Sequence, residues 1–99
     1  MRKIAQEVKA NIPYFVSKEG SKFVAYSPAI DLSTCGSTEK QARKMFEEAA
    51  NIFFDEIIEM GTLDDVLTEC GWEKVTTDNT WSPPTYKQDF VQIAVGAGA

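Results

Sequence analysis

The segment Thr38-Glu39-Lys40-Gln41, followed by apolar residues spaced by threes and fours as far as Gly61, constrains this chain more than any other feature. Thr38 with Gln41 three residues on has the form of a capping box, and Glu39 adds a carboxylate to the positive helix end. Gly61 stands where a left-handed residue ends a helix. The spacing predicts a helix over Glu39 to Met60, with an inner face of Ala42, Met45, Phe46, Ala49, Phe53, Ile57 and Met60. Such a stripe needs a sheet to lie on.

The residues before the helix supply that sheet. Val8, Ala10, Ile12, Tyr14 and Val16 alternate with polar positions, the period of a half-buried strand. Pro13 has no N–H to give a ladder and implies an edge or a bulge, so the first strand is expected from Tyr14. Lys18-Glu19-Gly20-Ser21 supplies a Gly for a turn, and Phe23 to Tyr26 forms the return strand of a hairpin. Pro28 ends that run, Leu32 to Cys35 makes a third strand, and Gly36 turns out of it.

Beyond the long helix, Thr62 and Gly71 bracket a two-turn helix lined by Leu63, Val66, Leu67 and Cys70. Trp72 to Gln88, with Pro83-Pro84, reads as a long surface connection with Trp72 or Trp81 tucked under it. Phe90 to Val95 is expected to be the final strand, followed by the tail Gly96 to Ala99. The fold class is therefore α+β in the order β-β-β-α-α-β: a small antiparallel three-stranded sheet, a long helix, a short helix and a final strand. A helical crossover within one sheet should be right-handed, which makes the last strand parallel to the strand it joins.

With 99 residues, 43% of them hydrophobic and 25% charged, the chain is expected to form one compact domain over 1–99. Its net charge of −5 opposes binding to a polyanion and favours a basic partner. No apolar run approaches eighteen residues and no leader pattern follows Met1, so the expected location is cytoplasmic. Cys35 and Cys70 lie far apart without CxxC spacing, which fits two free thiols.

The absence of His from the sequence removes the commonest general base and metal ligand. Cys35 near a helix N-terminus has the setting of an activated thiol, but with no His beside it the reading is a small buried residue ending a strand. The acidic sets Asp64, Asp65 and Glu69, and Glu47, Glu48, Asp55, Glu56 and Glu59, lack calcium-loop spacing and read as solvated helix faces. Gly36-Ser37-Thr38 is too short to be a phosphate loop. No enzyme activity, cofactor or metal is expected; a small enzyme using Cys35 or a carboxylate is the remaining alternative.

One apolar row is left over. Ala50, Phe54 and Ile58 recur at i, i+4 and i+8, about 100° round the helix from the inner face, and share that side with Arg43 and Glu47. A wet Phe and Ile each cost roughly 2 kcal/mol relative to burial, so the row calls for a cover: the Trp-bearing loop or another chain. Arg43, Glu47, Ala50, Phe54 and Ile58 are the candidate protein interface.

Taken in order, Tyr14 to Gly20, Phe23 to Ile30, and Cys35-Gly36-Ser37-Thr38 running into Glu39 to Ala49 resemble the HicB-like antitoxin domain of type II toxin-antitoxin systems. The resemblance covers about residues 12 to 60 and extends loosely to the last strand. It implies a degenerate ribonuclease H-like fold without catalytic carboxylates, which binds and inhibits a small basic mRNA interferase toxin of the HicA-like kind. Many family members bind operator DNA through an added helix-turn-helix or ribbon-helix-helix. No such pattern follows Val95, so direct DNA binding is not expected. The alternative is a stand-alone homo-oligomeric HicB-like module without a toxin partner.

Overall fold

A computed structural model describes residues 8–75 and 80–96. The elements run β1 (Lys9–Ala10), β2 (Phe15–Glu19), β3 (Lys22–Ser27), β4 (Leu32–Gly36), α1 (Glu39–Glu59), α2 (Leu63–Glu69), β5 (Glu73–Lys74) and β6 (Thr80–Ser82). The fold is α+β. The order β2-β3-β4 is an antiparallel meander, and β1-β6-β5 is a second, smaller sheet. Among the described residues no helix is long and apolar enough to cross a membrane.

The hairpin forms where the turn residues place it, with Gly20 at φ 65° and Phe15 opposite Tyr26. Pro13 lies in the interruption between β1 and β2, as a residue without an N–H should. β4 follows a tight corner in which Ser27 Oγ accepts from the Ala29 N–H at 3.2 Å and Asp31 takes φ 53°. A short polar side chain tolerates that left-handed backbone better than most.

Thr38 caps α1: its Oγ1 accepts from the Gln41 N–H at 3.0 Å. The reciprocal half of the box shifts by one residue, since Gln41 Oε1 accepts from Ser37 N–H at 2.7 Å and Ser37 Oγ at 2.9 Å. At the other end the Thr62 N–H donates to Ile57 O and the Gly61 N–H to Ile58 O, a Schellman closure with Gly61 at φ 70°. α2 ends the same way. Trp72 N–H donates to Leu67 O and Gly71 N–H to Thr68 O, with Gly71 at φ 91°.

α1 lies on one side of the meander, and small residues make this possible. A Cβ on Gly36 would stand 2.8 Å from the Ala42 amide nitrogen, and Thr34 Oγ1 donates to Ala42 O at 3.1 Å. Ala25 and Ser27 are fully buried beneath the helix with Ala42 and Phe46. Phe46 stacks on Tyr14 with ring centroids 4.3 Å apart.

The inner face differs from the expected stripe in three places. Met45 and Met60 are exposed and Ala49 is half-buried, whereas Ala50 is buried. The buried stripe is thus rotated toward Ala50, because the Trp72 side of the fold packs there.

Both tryptophans are buried, one in a hydrogen bond and one without. Trp72 Nε1 donates to Ala29 O at 2.9 Å and ties the chain after α2 to the β3–β4 corner. Trp81 Nε1 has no acceptor among the described residues. Trp81 belongs to β6, so the connection after Trp72 contains a small hairpin as well as loop.

The final strand lies upstream of its expected place. β6 pairs in parallel with β1, Lys9 facing Thr80 and Ala10 facing Trp81, the direction expected of a crossover connection. Phe90 to Val95 forms no strand. The reason is positional. Phe15 and Tyr86 meet edge to face at 6.4 Å, which brings the chain against β2 at that point. Pro83 and Pro84 lack the N–H that a ladder needs, and no strand forms after β6 among the described residues. Phe90, Val91, Ile93 and Val95 are left exposed.

Residues 85–96 are exposed throughout, and the Cα radius of gyration is 17.3 Å. A compact chain of this length would have about 13 Å. The exposed C-terminal run lies outside the compact part of the chain.

Candidate functional site

Residues opposite one another in an antiparallel ladder share a face, so the pairings sort the meander into two sides. Val16, Ala25 and Thr34 stand in one row, Ser27 and Leu32 in another, all toward α1. Phe15, Tyr26 and Ser33, with Ser17, Val24 and Cys35, stand on the other side. No element of secondary structure covers that side among the described residues.

This open side carries the more exposed aromatic groups. Phe15 is 53% exposed, Tyr26 and Tyr86 are each 40% exposed, and the edge-to-face contact of Phe15 with Tyr86 extends the patch across β2. Tyr26 OH donates to Asp31 Oδ1 at 3.1 Å, which fixes the ring at the corner. That hydrogen bond to the carboxylate raises the Tyr26 pKa above its ordinary 10.0, so the phenol remains a neutral donor at physiological pH. Ser17 Oγ donates to Glu19 Oε2 at 2.9 Å on the same side. The result is an aromatic centre with Glu19, its cross-strand partner Lys22 and Asp31 at its margin, an arrangement suited to contact with another protein.

The five interface residues expected from sequence separate into two groups. Ala50 is buried in the core, and Phe54 is half-buried, meeting Phe53 at 5.4 Å and Trp72 at 6.5 Å. Trp72 is therefore part of the cover that the row required. Arg43, Glu47 and Ile58 remain exposed, Ile58 at 43%.

Arg43 Nε and Nη2 both donate to Glu39 Oε2, at 3.1 and 2.9 Å, and Nη1 donates to Tyr14 OH at 3.2 Å. These bonds, Glu39 first and then Tyr14, push the guanidinium pKa up and keep it cationic. With Glu39 and Arg43 both about half exposed, the ion pair adds little to stability. Glu39, Lys40, Arg43, Lys44 and Glu47 line a shallow, open depression along α1 with charges of both signs.

Both cysteines are free thiols. Cys35 was expected to point inward and is exposed instead. The alternation of β4 turns Thr34 to the helix, so its neighbour faces solvent. Cys70 is half-buried, and burial raises its thiol pKa above the ordinary value, with Glu69 and Asp31 adding to the effect. Among the described residues no group of three or more Cys, Asp or Glu side chains is placed to hold a metal ion.

The open-side aromatics were legible as strand residues but not as a surface. Their signal lies in the opposite parity: Ala25 and Ser27 are the residues small enough to admit a helix, which leaves Phe15 and Tyr26 facing away. No family model, curated protein or solved structure matches this chain.

Proposed function

We propose that this chain is an antitoxin-like interaction protein that binds and inhibits a small basic mRNA interferase toxin of the HicA-like kind. The carrying observation is the open side of the meander, where Phe15, Tyr26 and Tyr86 are half-exposed on a chain of net charge −5. A net negative charge speeds encounter with a basic partner, and aromatic groups then supply the area that holds it. The ordered resemblance to the HicB-like domain over about residues 12 to 60 gives the partner its chemical class, and the ribonuclease H-like character of the fold belongs to the same proposal.

Contact centred on the sheet face replaces contact along the Ala50–Phe54–Ile58 row, because two of those three side chains already serve the core or lean on Trp72. Arg43, Glu47 and Ile58 lie on α1, across the sheet from this face.

Co-expression with the toxin encoded beside this chain tests the reading. Growth should be restored and the two chains should co-purify; continued toxicity with no co-purification overturns it. The second reading, a homo-oligomeric module without a toxin, draws support from the exposed apolar run Phe90 to Val95.

A further inference from the structure

We propose that residues 90–95 pair with the same residues of a second copy of this chain, as antiparallel strands about a two-fold axis at Ile93. This inference does not depend on a toxin partner. Phe90, Val91, Ile93 and Val95 are 83%, 80%, 68% and 81% exposed, in a run that follows the contact of Tyr86 with Phe15. Its β-branched alternation is that of a strand, and no strand pairs with it among the described residues.

The sequence of the run favours its own copy as that neighbour. A two-fold axis perpendicular to an antiparallel ribbon must place one residue opposite itself. Centred on Ile93, it sets Ile93 against Ile93, Val91 against Val95 and Gln92 against Ala94, each pair of numbers summing to twice 93. β-branched side chains thus face β-branched side chains from both copies on one side of the ribbon. Phe90 falls opposite Gly96, where an aromatic ring covers a position without a side chain. A Cβ on Gly96 would have nothing within 4 Å, so the space for that ring is open.

Charge points the same way. Two copies of a chain at −5 repel over most of their surfaces, but Phe90 to Gly96 contains no charged residue. A free two-stranded ribbon is marginal in water. Here each strand leaves a folded body in which Trp81 is buried and Tyr86 is held by Phe15, so part of the ordering cost has already been met.

Sedimentation velocity across a concentration series of the full chain should show a species of twice 11.0 kDa. Ile93→Lys, which sets like charges opposite each other, should abolish that species. Ile93→Cys in a Cys35→Ser, Cys70→Ser background should form a disulfide-linked dimer on mild oxidation. Val91→Cys in the same background should not, because it is offset from its copy by four positions, about 13 Å, beyond the roughly 7 Å Cα separation a disulfide spans. All three changes at 91 and 93 lie outside the core, so the fold survives them. A chain monomeric at every concentration, a dimer that survives Ile93→Lys, or Val91→Cys crosslinking as readily as Ile93→Cys would each overturn the proposal.

Discussion

On the side of the meander that α1 covers stand Ala25, Ser27, Thr34 and Gly36; on the other side stand Phe15, Tyr26, Val24 and Cys35. Val16, Phe23 and Leu32 share the buried side, but small residues stand where the helix comes closest: Gly36 lies so near the Ala42 amide that no Cβ fits between them. The helix adds Phe46 and Ile57 to that core. The open side keeps its aromatic groups half wet. Under the proposed function, stability and recognition fall to the two different faces of one three-stranded sheet.

The division sets the ranking of substitutions. Phe46→Ala removes a buried ring stacked on Tyr14 and should cost about 3–5 kcal/mol in urea denaturation. Phe15→Ala, on the open side, should cost about 1 kcal/mol or less, the worth of a cross-strand pair. Equal losses for the two would break the comparison.

A smaller effect sharpens the same contrast without touching the fold. Iodoacetamide at neutral pH should alkylate Cys35, exposed on the open side, well before Cys70. Burial raises the Cys70 pKa, so less thiolate is present at any pH below it, and access is restricted as well. Cys70 reacting first would mean that α2 and the chain after it open more readily than their packing implies.

Much of this architecture is written in local signals. Gly20, Thr38, Gly61 and Gly71 mark turn, cap and helix ends where backbone geometry leaves few alternatives, and the hairpin, β4 and both helices follow within a residue or two. Non-local pairing is less legible. Phe90 to Val95 has the composition of a strand, yet pairing depends on which edge lies within reach, and the prolines at 83 and 84 lead the chain past β2 without a ladder. Trp81, in a stretch rich in Thr, Asp, Asn and Pro, supplies the final strand instead because it reaches β1.

The candidate site was harder to see for a related reason. Helical spacing locates Phe54 and Ile58 on a flank of α1, but only the fold shows that Trp72 comes back to meet Phe54 and bonds to Ala29 O on the way. Period-two alternation likewise places Phe15 and Tyr26 on one face without saying which face receives the helix. Residue size settles it, since Ala25 and Ser27 permit the approach that Phe15 and Tyr26 would block.

The open face as the partner-binding surface is tested most directly by calorimetric titration of the toxin encoded beside this chain against Phe15→Asp, with Ile58→Asp on α1 as the comparison. A central anchor is worth about 2 kcal/mol or more, so Phe15→Asp should weaken binding by about thirtyfold or more while Ile58→Asp leaves it nearly unchanged. Unaltered affinity in Phe15→Asp, or a larger loss in Ile58→Asp, would contradict the account and return the interface to the helix.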